Sequence, residues 1–179
     1  MTGSIGKEIE LNTEHLVLKP LGSQYLDTVN DYALNFENTK YMCHLPKKNT
    51  AETLQFLQGV DEEWRKEEPA FYEFAVIYQG RHIGAVSIYF EQGAGELGWI
   101  IHRDFWGNGF ATEAAKKIIE HFSKQGCRCF IAHCDTENAA SCRVMEKLGM
   151  IRTKINGGRK NRSSELERYE YQYELAVLD

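Results

Sequence analysis

The spacing of hydrophobic positions changes several times along this chain, and each change predicts a boundary between elements. Apolar and polar side chains alternate between residues 15 and 20, which is typical of a strand with one buried face. Residues 21–36 and 50–66 carry apolar side chains three and four positions apart, the spacing of a helix face. Asn49, with Glu52 three residues later, resembles a capping box that opens the second helix.

A spacing of two returns in residues 71–78 and 82–90, which predicts two strands joined by a hairpin around Gly80. Further along, the pattern predicts a strand at 96–101, a helix at 110–124, a strand at 127–134, a helix at 138–148, and closing strands at 150–155 and 169–177 around a turn at 156–158. The order is β-α-α-β-β-β-α-β-α-β-β. It predicts an α/β (α+β) fold with a mixed, mostly antiparallel central sheet and helices on both faces.

Length and charge limit the classes of protein to consider. The 179 residues fit one domain spanning 1–179, with residues 1–10 expected to be flexible. A net charge of -5 argues against a nucleic-acid binder. Without a signal peptide or an apolar run of about 20 residues, we expect no membrane association. Five cysteines without a CxxC pair favour a reducing cytoplasm.

One group of cysteines needs a separate test for metal binding. Cys127, Cys129, His133 and Cys134 are close in sequence, but their spacing is not that of a tetrahedral site. They lie in the predicted strand at 127–134, where cysteine packs as a small hydrophobic residue. We therefore predict no metal.

Two glycines, Gly107 and Gly109, lie where the strand at 96–101 gives way to the helix at 110–124. The first turn of a helix has unpaired N–H groups and the positive end of the helix dipole, so it attracts anions. Glycine lets a pyrophosphate approach the backbone. The segment is neither a Walker loop nor a dinucleotide fingerprint, because Thr112 stands where the third glycine would be. Taken alone, the glycines also fit a plain turn.

The surrounding residues carry a family resemblance. Residues 105–114 closely resemble the central motif of the GNAT superfamily of N-acetyltransferases, in particular the branch of ribosomal-protein N-terminal (alanine/serine) acetyltransferases. The family loop Q/R-x-x-G-x-G/A falls on Trp106, Gly109 and Ala111, and tryptophan in the first place departs from the superfamily pattern. Residues 138–150 and 13–19 are similar to two further family segments, so the resemblance covers nearly the whole chain.

The resemblance implies an acetyl-CoA-dependent N-acetyltransferase of class EC 2.3.1, in which an amine attacks the thioester directly in a ternary complex. It implies that the pantetheine arm pairs with Ile100, Ile101 and His102, with the Ile101 N–H directed at the thioester oxygen. Asn138 would bond the same arm, and Ser141 would bind the cofactor at its sulfur. The diphosphate would take N–H groups from the loop and first helical turn: Trp106, Gly107, Asn108, Gly109, Phe110, Ala111 and Thr112.

Proton transfer is where the chain departs from the family. Many members have a tyrosine donor where this chain has Met145, so Ser141 becomes the expected donor to the leaving thiolate, although a serine there also fits a local cap. Glu96 is the favoured catalytic carboxylate, and Glu73 on a neighbouring strand is the alternative. We interpret His102 and His133 as structural, and the basic segment 154–162 as a solvated hairpin tip that borders the acceptor groove.

Three hypotheses follow. The first is acetyl transfer to a primary amine, on a protein N-terminus or a small molecule, by a monomer or homodimer. The second is an acyl-CoA-binding regulatory module without turnover, which Met145 would suit. The third is a nucleotide-phosphate enzyme that binds ATP more tightly than coenzyme A, and we disfavour it.

Overall fold

The computed structural model describes residues 9–178, and the expected flexibility of residues 1–8 concerns residues outside that range. Its strands are β1 (Leu11–Asn12), β2 (Leu16–Pro20), β3 (Phe71–Tyr78), β4 (Arg81–Glu91), β5 (Ala94–Ile101), β6 (Cys129–Asp135), β7 (Ile151–Lys160) and β8 (Glu167–Ala176). Its α-helices are α1 (Leu26–Ala33), α2 (Phe36–Thr39), α3 (Thr50–Trp64), α4 (Phe110–Lys124) and α5 (Ala139–Lys147).

All eight strands form one sheet, in the order β1-β2-β3-β4-β5-β6-β8-β7. Every neighbouring pair is antiparallel except β5 and β6, which are parallel. One core contains α1 and α3 with one face of β3 and β4, and a second contains α4 and α5 with the other face. The predicted mixed, mostly antiparallel sheet with helices on both faces is confirmed. Within residues 9–178, no helix is long and apolar enough to cross a membrane.

Several elements lie where the sequence pattern predicts them. The strand at 71–78 and the helix at 110–124 begin and end where the sequence predicts. The cap of α3 is confirmed, because Asn49 Oδ1 accepts a hydrogen bond from the Glu52 N–H at 2.9 Å. The turn between β3 and β4 uses left-handed backbone at Gln79 (φ 48°) and Gly80 (φ 77°), as a tight hairpin requires.

The first predicted helix needed correction. Within residues 21–36, only Leu26–Ala33 form α1, and a second short helix, α2, begins at Phe36. The helix breaks because Asn35 takes extended backbone and its side chain accepts a hydrogen bond from the Asn38 N–H at 3.2 Å, which starts a new helix. The prediction also missed β1, whose two residues pair with β2.

The predicted turn at 156–158 is also wrong. β7 continues to Lys160, and the register shifts between Asn156 and Arg159, so the two glycines form an irregularity inside a strand rather than its end. The connection to β8 lies at 161–166. Residues 154–158 and Lys160 are exposed, as expected of a solvated segment, but Arg159 is not: its side chain is largely buried and ion-paired with Glu170, and it donates to the Tyr41 carbonyl at 2.7 Å.

A buried carboxylate organises this end of the molecule. Asp135, fully buried at the end of β6, accepts hydrogen bonds from the Glu137 N–H at 2.8 Å and from Asn161 Nδ2 at 2.6 Å, and Arg168 Nε lies 3.5 Å away. Asn161 Oδ1 in turn accepts from Arg159 Nε at 2.9 Å. This network joins β6 to the β7–β8 connection, and through Arg159 to the segment that follows α2.

We predict that Asp135→Ala lowers the free energy of unfolding by about 3 kcal/mol, because it leaves buried donors and Arg168 without their acceptor. Urea denaturation would measure the loss. Glu137→Ala is the matched control: its carboxylate also pairs with Arg168 but is 62% exposed, so the expected change is below about 1 kcal/mol. Equal losses in the two variants would contradict a central role for the buried network.

Candidate active site

A gap opens between the two parallel strands. β5 and β6 are paired only over three residues each, from Gly95 opposite Phe130 to Leu97 opposite Ala132. Beyond that point β5 remains paired with β4, and β6 remains paired with β8, so the two strands separate. The backbone groups that face the gap have no ladder partner. A ligand with amide groups can pair there as an extra strand.

The end of β5 directs one amide into this gap. The His102 N–H donates to the Ile83 carbonyl of β4 at 2.7 Å, so by alternation the Ile101 N–H points away from β4, toward the gap. The Ile101 carbonyl accepts from Asn38 Nδ2 and from Trp106 Nε1, each at 2.7 Å, which fixes the peptide between Ile101 and His102. Ile100 turns its side chain to the α1–α3 core. The backbone of His102 is occupied inside the protein, and its ring accepts from the Asp104 N–H at 3.2 Å.

The glycine turn lies at the mouth of the gap, where β5 connects to α4. Gly107 and Gly109 have φ of 79° and 77°, in the left-handed region that glycine adopts without strain. The first hydrogen bond inside α4 runs from the Glu113 N–H to the Gly109 carbonyl at 3.0 Å. The amides of residues 110–112 therefore precede the helical ladder, and their N–H groups present the positive end of α4 to an anion.

Side chains brace this turn from within. Asn108 Nδ2 donates to the Phe105 carbonyl at 3.0 Å and to the Trp106 carbonyl at 3.3 Å, so the exposed Asn108 side chain holds the loop. The Phe110 ring is buried against Tyr78, with ring centroids 4.6 Å apart. Trp106 is 53% exposed, and its ring can cover a ligand at the turn.

The start of α5 forms the other side of the site. Asn138 caps the helix by accepting from the Ser141 N–H at 3.1 Å. The cap acceptor is therefore the Asn138 side chain and not the Ser141 hydroxyl. Within residues 9–178 the Ser141 hydroxyl has no hydrogen-bond partner. Met145, one turn further, is fully buried in the core and has no proton to donate. The geometry leaves Ser141 as the free hydroxyl of this helix turn.

Glu96 and His133 form a pair at the apex of the gap. His133 Nδ1 lies 2.8 Å from Glu96 Oε1, and His133 Nε2 lies 3.3 Å from Gln172 Oε1. The hydrogen bond to Glu96 raises the pKa of His133, and the same bond lowers the pKa of Glu96. The pair therefore favours a carboxylate beside an imidazolium.

Glu73 is a second carboxylate on this face of the sheet. It differs from Glu96 in its burial, in its hydrogen-bond partner and in the direction in which its pKa is changed. Its side chain is buried (8% exposed) and accepts a hydrogen bond from the Tyr89 hydroxyl at 2.7 Å. Burial raises the pKa of Glu73 to about 7, although the Tyr89 bond and the nearby Lys47 oppose the change. Glu73 can therefore exchange a proton near neutral pH.

Sequence reasoning missed two residues of this site. Asn38 joins α2 to the end of β5, and its Oδ1 also accepts from the Arg103 N–H at 3.2 Å. No sequence signal indicated this contact, because 63 residues separate Asn38 from Ile101. His133 was interpreted as structural, and its bond to Glu96 depends on a strand register that the sequence does not reveal.

The cysteines form no metal centre within residues 9–178, where no group of three or more His, Cys, Asp or Glu side chains could hold an ion. Cys127 Sγ bonds to the Cys129 carbonyl at 3.4 Å, while Cys134 Sγ lies 3.6 Å from Cys142 Sγ. All five cysteines are free thiols.

Comparison with known proteins places this geometry in context. Residues 15–151 match the model of the acetyltransferase (GNAT) domain family. The chain is 40% identical over 65 residues to the uncharacterized N-acetyltransferase YnaD of Bacillus subtilis (strain 168). The aligned segment covers 36% of this chain and only 38% of that protein. It is 26% identical over 142 residues to the uncharacterized N-acetyltransferase p20 of Bacillus licheniformis, covering 77% of this chain and 80% of that one.

The fold also resembles a solved structure. The ribosomal L7/L12 α-N-protein acetyltransferase RimL, in complex with coenzyme A, superimposes with a TM-score of 0.83 at 16% identity, covering 94% of this chain and 98% of that chain. At this identity the likeness shows the fold.

We predict that Gly109→Ala weakens coenzyme A binding about tenfold, measured by calorimetry, because the new methyl group projects into the open space where an anion would approach the amides of 110–112. Gly80→Ala is the control, since Gly80 has the same φ of 77° and equally open surroundings but lies in a hairpin outside the site. Both variants should lose about 1 kcal/mol of stability. Equal affinity in the two variants would remove the turn from the binding site.

Proposed function

The chain belongs to the GNAT family of acetyltransferases, and on that premise we propose that it transfers the acetyl group of acetyl-CoA to a primary amine by direct attack in a ternary complex. The observation that carries the proposal is the gap between β5 and β6 with a left-handed glycine turn at its mouth. An extended amide-bearing arm suits the gap, and a diphosphate suits the amides of the turn.

We assign the binding of acetyl-CoA as follows. The pantetheine arm pairs with the gap side of β5 through the Ile101 N–H. His102 does not take part in this pairing, because its backbone N–H and carbonyl are already bonded within the protein. Asn138, whose Oδ1 is used in the cap, offers its Nδ2 to the arm. The diphosphate takes amides between Gly107 and Thr112, including those of Gly109 and Ala111. The Trp106 N–H, expected from the sequence as a further donor, is already bonded to the Arg103 carbonyl at 3.1 Å. No metal is needed for this anion, since the helix terminus supplies the positive potential.

The chemistry requires three groups. The Ile101 N–H hydrogen-bonds the thioester oxygen and stabilises the negative charge that develops there. The neutral amine attacks the carbonyl carbon, the C–S bond breaks, and the thiolate takes the proton of the Ser141 hydroxyl. The nitrogen is positively charged after the attack, and the proton that it loses restores the Ser141 hydroxyl, so the products are a neutral amide and the coenzyme A thiol. Glu96, held by His133, lies at the apex of the gap, and we assign its carboxylate to hydrogen-bond the incoming amine.

For the acceptor we propose a protein N-terminus or a small-molecule amine. RimL, which shares the fold, is an α-N-protein acetyltransferase of ribosomal L7/L12, and this supports the first choice. Arg162 joins the segment that follows α2 to helix α3, because it donates to the His44 carbonyl at 3.4 Å and to Glu52 Oε1 at 2.7 Å. Free thiols at all five cysteines support a reducing cytoplasm as the location.

A regulatory acyl-CoA-binding module remains the second candidate, because Met145 is buried where many relatives have a donor tyrosine. A thiol-release assay with acetyl-CoA separates the two. Peptides with free serine or alanine N-termini, an amino acid, a polyamine and an aminoglycoside would form the acceptor panel. Release of coenzyme A with an acetylated product supports the enzyme. Tight binding of acetyl-CoA with no release for any acceptor would overturn it.

We predict that Ser141→Ala lowers kcat at least tenfold and leaves the affinity for coenzyme A unchanged, because only the departing thiolate needs the hydroxyl proton. Ser123→Ala is the matched control: Ser123 also has a hydroxyl without a partner among the described residues, but it lies near the far end of α4. A wild-type rate in Ser141→Ala would exclude Ser141 as the proton donor.

A further inference from the structure

A row of three residues crosses the sheet from the buried Glu73 to the edge of the gap. Glu73 on β3 is opposite Ser87 on β4, and Ser87 is opposite Gly98 on β5. Directly opposite residues on neighbouring strands share a face, so all three positions lie on the α1–α3 side. Gly98 is the first residue of β5 beyond the last pair with β6, at Leu97. The row therefore ends where the gap begins.

The Ser87 hydroxyl, in the middle of the row, lies over Gly98 at the edge of the gap. A Cβ atom on Gly98 would lie 2.7 Å from Ser87 Oγ, closer than such atoms approach in proteins. Any other residue at position 98 would thus contact the Ser87 hydroxyl. Ser87 is only 9% exposed, and among the described residues its hydroxyl has no side-chain or backbone partner. The hydroxyl lies over Gly98, beside the gap, and is not bonded to Glu73, so it reaches the Glu73 carboxylate only by rotation of the Ser87 side chain.

The surroundings of Glu73 keep it ready to accept a proton. Tyr89 of β4 donates to its carboxylate, while Tyr32 of α1 and Lys47 of the segment before α3 lie close enough to interact with its charge. On α3, Glu63 acts on Tyr89 rather than on Glu73 directly. No arginine or histidine is bonded to Glu73 within residues 9–178, whereas Glu96 is bonded to His133.

We propose that Glu73, acting through the Ser87 hydroxyl, takes the proton from the acceptor ammonium, while Glu96 holds the amine. This inference rests on the proposed acetyltransferase function. The ammonium gives one proton to Ser87 Oγ as Ser87 gives its own proton to Glu73. The amine is then neutral and attacks the thioester carbon. Glu73 is neutral after the step and loses its proton to water before the next turnover.

The division of roles follows from the state of each carboxylate. The bond to His133 keeps Glu96 charged and makes it a poor acceptor of a proton, although it remains a good partner for a cation. Burial raises the pKa of Glu73 to about 7, so its charged form is a stronger base that is still populated near neutral pH. A base acts only when deprotonated, so kcat/KM should rise with pH through this region.

The test is the pH dependence of kcat/KM for the full chain, with acetyl-CoA and two amine acceptors of different pKa. A rising limb near pH 7 that keeps its position with both acceptors belongs to the enzyme. We expect Glu73→Gln to lose this limb and about 100-fold of the rate at pH 7. Calorimetry with coenzyme A checks that the variant is folded. Ser87→Ala should lower the rate and leave the limb in place.

A matched pair of variants covers the case in which Glu73→Gln does not fold. Tyr89→Phe removes the bond that lowers the pKa of Glu73, so the limb should move to higher pH. Tyr32→Phe removes a buried hydroxyl that has no partner among the described residues, and the limb should stay in place. The same movement in both variants, or a wild-type limb in Glu73→Gln, would overturn the role of Glu73. Absence of turnover in the wild-type protein would instead overturn the proposed function.

Discussion

The separation of β5 from β6 is the constraint on which the rest of the structure depends. Unpaired backbone groups inside a sheet cost about 1–3 kcal/mol each when no partner or water replaces the ladder. This protein can maintain the gap because each strand keeps its other neighbour: β4 holds β5 to Ile101, and β8 holds β6 to Asp135. The same arrangement makes the gap a fixed template for a ligand that supplies the missing amides. Recognition of an extended arm therefore needs no loop to fold around it.

The two strands that form the walls of the gap, β5 and β6, each hold other parts of the site in place. On the β5 wall, the Ile101 carbonyl binds Asn38 and Trp106, so one peptide joins helix α2 to the glycine turn. On the β6 wall, Asp135 ends the strand and anchors the β7–β8 connection. Through Arg159 that connection holds the segment after α2. Helix α2 and the segment after it are thus fixed to both strands that form the gap, and a displacement of either strand would move them.

Local patterns predicted those parts of the fold that local forces determine. The bounds of α4 and β3, the cap at Asn49 and the glycine turn follow from residues within a few positions of one another. The continuation of β7 past Gly157 and Gly158 could not be predicted in this way, because pairing with β8 overrides the turn preference of two glycines. The contacts between Glu96 and His133, and the row from Glu73 to Gly98, depend on strand register, which residues far apart in sequence determine together.

Register also explains how one sheet face can hold two carboxylates with opposite properties. Glu96 lies at the exposed apex of the gap, where the neighbouring parallel strand brings an imidazole within hydrogen-bond distance. Glu73 lies two strands away under α1 and α3, where its bonded neighbour is a phenol that can donate a hydrogen bond but brings no positive charge. One environment stabilises the charged carboxylate and the other the neutral acid. An amine that enters as a cation and reacts as a neutral nucleophile needs both environments, one to bind its charge and one to accept its proton.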